Sequence, residues 1–181
     1  MQLYVTGFGE FLTHKENPSS LCATSLMPLG AKGSILKVSY AAVDDFFRAH
    51  HPEGMLLFGL NAKADTFRFE RYAYNAISRT TKDVDGIIPE QEYIEAGEGR
   101  QETAFPILRL CGLAEEKGIP IKISEDPGRY LCNYVYFKAL KECQGKALFV
   151  HVPLKTKENE DFYPRLARMI YEELSRLGNE G

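Results

Sequence analysis

The chain has 181 residues, of which 44% are hydrophobic and 26% are charged, and its formal net charge is −3. This length and composition are those of an ordinary globular protein with one sizeable core. Lysine and arginine are scattered along the sequence, and the longest apolar runs, MLLFGL and ALFVHV, are too short to cross a bilayer. Neither nucleic acid nor a membrane is therefore expected as a partner.

The cysteines suggest a free thiol in a reducing compartment. Cysteine occurs at four positions that show no C-x-x-C spacing, which argues against a zinc site and a disulfide framework: Cys22, Cys111, Cys132 and Cys143. The N-terminal stretch MQLYVTGFGEF lacks a charged segment followed by an apolar one, so no export signal is predicted. We therefore expect a cytoplasmic protein, where a thiolate stays reduced.

Apolar runs and turn residues alternate along the chain. The pattern predicts strands at 3–6, 34–38, 55–60, 119–124 and 147–152. Helices are predicted after Asn17 as N-cap and Pro18 at the first helical position, around 43–47, from Thr103, at 130–143 and at 162–177. This alternation predicts a three-layer α/β/α sandwich with a mostly parallel central sheet, built as one domain over 1–181.

The segment 65–77 departs from this rhythm. Its residues alternate with a period of two, which predicts an additional strand or hairpin, with an antiparallel direction as one option. Glu70 would then share a face with Arg68, Tyr72 and Tyr74 and is the best candidate for an acid that orients a catalytic base. The alternative is a surface ion pair of Glu70 with Arg68 or Arg71. Residues 81–101 follow as a long polar loop, and such loops are usually functional lids or binding loops.

A cysteine and a histidine stand out as candidate catalytic groups. The stretch 119–138 reads as a strand, a Pro-Gly break and a helix that begins close to Cys132, where unpaired N–H groups favour a thiolate. His151 lies at the end of the apolar run ALFVHV, where an ionisable group needs a partner. The alternatives are an inert buried thiol and a core histidine with its hydrogen bonds satisfied. His14, His50 and His51 lie in polar stretches and are predicted to be surface residues.

In a mostly parallel sheet, ligands bind outside the carboxyl ends of the strands. Features that follow predicted strand ends should therefore meet at one edge, and there are four of them: the Gly7-Phe8-Gly9 loop, the Gly59-Leu60-Asn61 segment, the turn before Cys132, and His151. No complete nucleotide-binding glycine motif is present, so we expect no nucleotide cofactor.

Five segments in series, VTGFGEF, NPS, FERYAYNAI, SEDPGRYLCNYV and FVHVP, resemble the pyroglutamyl peptidase I family, also called the pyrrolidone carboxyl peptidases. The resemblance covers most of the chain to Pro153, and YLCNYV is its sharpest part. It implies a single-domain α/β/α cysteine peptidase that works without a cofactor and is usually cytoplasmic and often a homo-oligomer. Such an enzyme removes an N-terminal pyroglutamyl residue from small peptides through a Cys–His–Glu triad.

The resemblance also implies roles for individual residues. The nucleophile would be Cys132, the base His151 and the orienting acid Glu70. The remaining matches imply a substrate pocket, in which two phenylalanines would stack on the flat lactam ring. Its residues would be Phe8, Phe11, Asn17, Tyr130 and Leu131.

Several positions depart from the family pattern. Leu12-Thr13 replaces a glycine pair, residues 61–64 replace a glycine-rich stretch with an arginine, and Asp126-Pro127-Gly128 replaces a turn that ends in Ala-Gly. The segment after HVP is also shorter than is typical. These departures leave two alternatives open: a hydrolase of the same fold for another small acyl or cyclic substrate, or a non-catalytic binding protein. Retention of Cys, His and Glu together argues against the second.

Overall fold

The computed structural model describes residues 1–11, 13–97 and 99–179, so Leu12, Glu98, Glu180 and Gly181 lie outside the described residues. The strands are β1 (Leu3–Phe8), β2 (Lys32–Leu36), β3 (Gly54–Leu60), β4 (Phe67–Glu70), β5 (Tyr72–Tyr74), β6 (Arg100–Glu102), β7 (Ile121–Ser124) and β8 (Ala147–Val152). The α-helices are α1 (Pro18–Leu26), α2 (Tyr40–Ala49), α3 (Ile107–Glu116), α4 (Leu131–Glu142) and α5 (Phe162–Asn179).

Six strands form the central sheet, in the order β2-β1-β3-β8-β4-β7. The first four of these run parallel to one another. Strand β4 is antiparallel to β8, and β7 is parallel to β4. The predicted mostly parallel sheet is therefore confirmed, with one reversed pair of strands at one side. Strands β5 and β6 form a separate antiparallel ribbon.

The reversal of β4 follows from a short connection. Residues 61–66 join the end of β3 to the start of β4, although β8 lies between these two strands. A parallel return would need a crossover of about a dozen residues or more, so this link allows only the antiparallel direction. Tyr72 and Tyr74, which we predicted on the face of Glu70, belong instead to the β5–β6 ribbon.

Different helices cover the two faces of the sheet. Helices α1, α3 and α5 pack on one face, together with Leu148 and Val150 of β8. Helices α2 and α4 pack on the other face, together with Phe149. Since side chains alternate along a strand, His151 points to the same face as Phe149 and α4. The predicted three-layer sandwich is confirmed.

Two helix starts show how local chemistry sets the boundaries. Asn17 is the N-cap of α1 and accepts a hydrogen bond from the N–H of Ser19 at 3.1 Å, and Pro18 is the first helical residue, as predicted. Helix α3 begins at Ile107 rather than near Thr103, because a residue that precedes a proline, here Phe105 before Pro106, is disfavoured in the helical region. Leu108, an apolar residue in the first turn of this helix, is 71% exposed.

The strand that precedes the turn before Cys132 ends at the other edge of the sheet. Strand β7 runs antiparallel to β8, so its carboxyl end points away from the edge where β1, β3 and β8 end. The prediction that this turn reaches the ligand-binding edge as a strand-end loop is therefore wrong. The link 125–130 brings the chain back instead, and α4 begins beside the ends of β3 and β8.

Candidate active site

Cys132 is the second residue of α4 and is half-buried. Among the described residues no side chain caps this end of the helix. The N–H groups of the first turn therefore remain available to an anion. The sulfur lies over the end of β3, where a Cβ built on Gly59 would come within 2.8 Å of Sγ.

His151 connects the sulfur to a buried carboxylate. The imidazole Nδ1 lies 2.7 Å from Oε1 of Glu70, and the two residues are only 4% and 1% exposed. Cys132 lies on the other side of the ring, because its sulfur packs against Gly59, which pairs with His151 in the sheet, and the remaining ring nitrogen Nε2 is available to it. Because a carboxylate can only accept, Nδ1 carries the proton that it donates to Glu70. The Glu70 main chain is held in turn by the Tyr136 hydroxyl, which donates to its carbonyl at 2.8 Å.

The surroundings of His151 favour its charged form. Burial by itself lowers the pKa of His151, since an imidazolium loses its hydration. Attraction to Cys132 and hydrogen bonds to Cys132 and Glu70 act against burial and raise the pKa from 6.5 to about 9. Cys132 on one side of the ring and Glu70 on the other thus both favour an imidazolium.

The alternative interpretations can now be compared with the structure. The surface ion pair proposed for Glu70 is wrong, since Arg71 contacts Glu125 at 3.3 Å and Arg68 contacts Asp65 at 3.7 Å. The buried, inert thiols of this chain are Cys22 and Cys143, where burial raises the pKa, to about 12 for Cys143. His50 and His51 precede β3 and therefore lie at the opposite edge of the sheet from His151.

A narrow cavity of about 50 Å³ opens beside the sulfur of Cys132. The structure brings to it every residue that we predicted for substrate binding: Phe8, Phe11, Asn17, Tyr130 and Leu131. The Phe11 and Tyr130 rings lie 5.7 Å apart with an interplanar angle of 41° and form one aromatic wall. A cavity with this largely apolar and aromatic lining suits a flat, largely apolar group.

Asn17 lines the cavity, but its amide is used mainly inside the protein. Its Oδ1 accepts from the N–H and the hydroxyl of Ser19, and its Nδ2 donates to the Gly9 carbonyl at 2.9 Å. One amide therefore ties the loop after β1 to the first turn of α1. This link holds Phe8 and Phe11 at the cavity.

Leu60 also lines the cavity and belongs to the Gly59-Leu60-Asn61 segment that we expected at this edge of the sheet. Sequence reasoning did not identify a further cavity residue, Val38, which follows the end of β2. The rule that ligands bind at the carboxyl ends of parallel strands could have indicated it. Its apolar side chain gave no chemical signal of its own.

Asn133, next to the candidate nucleophile, was also missed. Its side chain is fully buried and contacts the main chain of Tyr74, the last residue of β5, and of Ala76. Oδ1 accepts from the Tyr74 N–H at 2.8 Å, and Nδ2 donates to the carbonyls of Tyr74 and Ala76 at 2.8 and 3.1 Å. Asn133 therefore fixes the first turn of α4, and with it Cys132, to the β5 segment.

A thiol at an uncapped helix start, an imidazole in contact with it and a buried carboxylate behind the imidazole form the arrangement that a cysteine hydrolase requires. The fold around it is a three-layer α/β sandwich. Fold and site together have the features of a cysteine hydrolase.

Comparison with known proteins narrows this class to one family. The family model described as pyroglutamyl peptidase matches residues 1–161. The pyrrolidone-carboxylate peptidase of Halalkalibacterium halodurans is 30% identical, over 96% of this chain and 94% of that protein. Human pyroglutamyl-peptidase 1 is 29% identical, over 96% of this chain and 89% of that protein.

Solved structures agree with this result. Pyrrolidone carboxyl peptidase from Fervidobacterium islandicum superposes with a TM-score of 0.86 and 26% identity, over 97% of this chain and 99% of that one. The enzyme from Thermococcus litoralis gives 0.83 and 26%, over 99% and 96% of the two chains. The chain belongs to the pyroglutamyl peptidase family, and the resemblance stated from its sequence is confirmed. Within the described part of the chain, no helix has the length and apolarity needed to span a membrane.

Proposed function

We propose that this protein is a cysteine omega-peptidase that removes an N-terminal pyroglutamyl residue from small peptides. The observation that carries the proposal is the contact series from Cys132 through His151 to Glu70, placed beside a small apolar cavity. Family membership supports the same activity. No described group of His, Cys, Asp and Glu has the arrangement of a metal site.

Acylation begins with the thiolate of Cys132, which is paired with the imidazolium of His151. The sulfur attacks the carbonyl carbon that joins pyroglutamate to the next residue, and the carbonyl oxygen becomes an oxyanion. The N–H groups at the start of α4 point toward this oxygen and stabilise its charge. When the C–N bond breaks, His151 gives its proton to the leaving amine.

Deacylation releases pyroglutamate and restores the enzyme. The acyl group is then held on Cys132 as a thioester, and His151 is neutral. His151 takes a proton from water, the resulting hydroxide adds to the thioester carbon, and the C–S bond breaks to regenerate the thiolate. Glu70 keeps the imidazole in one orientation and one tautomer throughout, since its carboxylate binds Nδ1.

The pyroglutamyl ring fits the chemistry of the cavity. The ring is flat and largely apolar, and the walls at Phe8, Phe11 and Tyr130 offer aromatic surfaces for stacking. Leu131 and Val38 add aliphatic surface.

The decisive experiment measures hydrolysis of pyroglutamyl β-naphthylamide by the wild type, by Cys132→Ser and by Cys111→Ser. Cys111 is the matched control, because it is partly exposed but lies on α3, on the other face of the sheet. We expect turnover by the wild type and by Cys111→Ser, and a loss of about 10³-fold or more in Cys132→Ser. Iodoacetamide should abolish the activity of the first two proteins.

Three results would separate the alternatives. Activity that survives Cys132→Ser would exclude the assigned nucleophile. No turnover by a wild type whose Cys132 is rapidly alkylated would favour another small acyl substrate. No turnover together with an unreactive Cys132 would favour a non-catalytic binding protein.

We further propose a reducing, cytoplasmic setting and a homo-oligomer. All the cysteines are free, and the candidate nucleophile is active only as a thiolate. Light scattering coupled to gel filtration gives the oligomeric state directly. A monomeric mass at micromolar concentration would overturn the second proposal.

A further inference from the structure

We propose that Arg68 forms a subsite for the leaving peptide by binding the carbonyl or α-carboxylate oxygen of the residue that follows pyroglutamate. This inference rests on the proposed function. It concerns a residue outside the contact series of the active site and outside the acyl cavity.

The pairing of β4 with β8 places Arg68 next to the imidazole. Arg68 and His151 are directly opposite in the antiparallel register. Residues opposite each other in such a pair point to the same face, with Cβ atoms about 4.5–5.5 Å apart. Arg68 therefore stands beside His151, on the side away from β3 and Cys132.

The guanidinium extends toward the edge of the sheet where the site opens. Its Nη2 lies 3.7 Å from Asp65, which belongs to the link between β3 and β4 at that edge. The Arg68 side chain is 31% exposed, so part of the guanidinium is accessible from solvent. A cation thus stands at the entrance of the site on the His151 side.

Arg68 has donor capacity that the protein does not use. Its Nε is buried and has no hydrogen-bond partner among the described residues. Asp65 is a weak partner for the rest of the guanidinium. Its carboxylate lies 3.7 Å from Nη2 and makes a shorter contact, 2.8 Å, with Lys122. A buried N–H without an acceptor costs free energy, and a bound oxygen atom would recover it.

The sheet order fixes which part of a substrate reaches Arg68. The acyl cavity is lined by residues that follow β1, β2 and β3 and by the start of α4. His151 is on β8, and Arg68 lies one strand further from the cavity, on β4. Since His151 must face the leaving amine to protonate it, the peptide beyond the amine runs toward Arg68. The first acceptor that it carries there is the carbonyl or carboxylate of the next residue.

An arginine suits this acceptor. The guanidinium is always charged and presents its N–H groups as a planar fork that matches a carboxylate. A dipeptide with a free carboxylate should therefore gain most, and an amide carbonyl less. An aryl amide offers no acceptor at this position.

The experiment compares pyroglutamyl-alanine, pyroglutamyl-alanine amide and pyroglutamyl β-naphthylamide as substrates of the wild type and of Arg68→Met. We expect kcat/KM for pyroglutamyl-alanine to fall about 10- to 100-fold, as for loss of a charge-assisted hydrogen bond. The alanine amide should lose less, and the naphthylamide should stay within about twofold. Arg68→Lys should recover part of the loss on the dipeptide.

Arg71→Met is the matched control. The Arg71 side chain is 29% exposed and lies three positions along the chain, but its guanidinium is paired with Glu125. We expect this variant to leave the ratio between the three substrates unchanged. A change in the ratio as large as that of Arg68→Met would overturn the inference.

Two other results would also overturn it. Arg68 shares a face with Glu70, whose Oε2 likewise has no hydrogen-bond partner in the described part of the chain, so Arg68 could instead act on the triad. Equal losses on all three substrates, with a shifted pH profile for the naphthylamide, would show that role. Unchanged kinetics on every substrate would show no role.

A binding measurement keeps this inference separate from the proposed function. If the wild type hydrolyses none of the three substrates, the proposed function fails and kinetics say nothing about Arg68. Calorimetric titration of Cys132→Ala with pyroglutamyl-alanine then decides. Binding that Arg68→Met weakens about tenfold or more supports the subsite. Equal binding, or no binding by either protein, overturns it.

Discussion

The sulfur of Cys132 occupies the space that a side chain at Gly59 would fill. A Cβ built on Gly59 would lie 2.8 Å from Sγ and 2.5 Å from the Phe149 ring. The same ring lies against His151, with centroids 4.8 Å apart. The absence of a side chain at one position of β3 thus sets how closely the candidate nucleophile approaches the sheet and its base on β8.

The Gly59→Ala variant tests this relationship. The new methyl group must displace the sulfur, the Phe149 ring or both, so we expect kcat/KM for the naphthylamide to fall about 100-fold. Overpacking should also cost about 1–3 kcal/mol of stability, measured by urea unfolding. Gly112→Ala is the control, because open space surrounds that glycine on α3. The control should keep its activity, and retained activity in Gly59→Ala would contradict the packing argument.

Replacing Glu70 with glutamine should show whether Glu70 orients the imidazole of His151 or only fills the space behind it. The amide has the shape of the carboxylate but lacks its charge, and it can present a donor to Nδ1 of His151 and so select the wrong tautomer. We expect kcat to fall about 10²- to 10⁴-fold with little change in KM. Glu125→Gln, at an exposed residue that pairs with Arg71, is the control. Steady-state kinetics that show the same kcat for both variants would remove Glu70 from the mechanism.

The titration of His151 depends on Cys132. NMR of the imidazole should give a pKa of about 9 in the wild type. In Cys132→Ala the attraction to the thiolate and its hydrogen bond are lost, while burial, which lowers the pKa, remains. The pKa of His151 should therefore fall in this variant. An unchanged value would show that Glu70 alone holds the charge.

The same group makes stability depend on pH. The pKa of His151 is 6.5 in the reference state and is raised to about 9 by folding. Between these values His151 itself binds more protons in the folded protein than in the unfolded chain, so the contribution of this group is complete below pH 6.5 and is lost as the pH rises toward 9. Urea unfolding across this range should show the decline, and Cys132→Ala should reduce it. Equal slopes in the two proteins would count against the coupling.

The reactivity of the cysteines should differ sharply. Cys132 is half-buried at a helix start, whereas Cys22 and Cys143 are buried, and burial raises the pKa of both. We expect brief treatment of the native protein with iodoacetamide to modify Cys132 first. Mass spectrometry of the digested protein identifies the labelled cysteine. Cys111 is the internal comparison, since it is partly exposed but its pKa is raised by burial and by Glu115. Equal labelling of Cys111 and Cys132 would argue against an activated thiol.

Asn133 should prove to be a structural residue with a functional effect. Asn133→Ala leaves the Tyr74 N–H and the Tyr74 and Ala76 carbonyls without their partner, so we expect a loss of about 2–4 kcal/mol in urea unfolding. Asn133→Asp keeps the acceptor for Tyr74 but sets an anionic oxygen against two carbonyls, and it should be no more stable. A loss below about 0.5 kcal/mol in Asn133→Ala would contradict this role.

Much of the fold could be predicted because apolar runs here coincide with buried strands. The run ALFVHV is β8 without a change of boundary, and each of its residues is buried. The start of α1 was equally clear, since Asn17 and Pro18 act locally. Such signals depend on neighbouring residues, which a sequence displays directly.

Strand direction and strand order were harder to predict. A period of two places Glu70 and Arg68 on one face but does not say which strand they pair with. The short link 61–66 could have indicated that β4 is reversed, while the direction of β7 depends on its pairing with β4. Because the direction of β7 was unknown, the turn before Cys132 was predicted at the wrong edge of the sheet.

The candidate site was partly predictable for a similar reason. Cys132, His151 and Glu70 have distinctive chemistry, so their types and positions drew attention. Gly59 and Asn133 act through close packing and main-chain hydrogen bonds, and these contacts exist only after the elements have docked. Val38 is an ordinary apolar residue until the cavity forms around it.

The central position of β8 has a consequence for how the protein is made. Strands β3 and β4 are close in sequence, yet β8 lies between them in the sheet. Strand β8 contributes His151, which lies 81 residues after its partner Glu70. During synthesis, β3 and β4 therefore lack their shared partner strand until residues 147–152 emerge from the ribosomal exit tunnel. Insertion of that last strand completes both the central sheet and the site in one event, so synthesis that stops before it yields no partially active product.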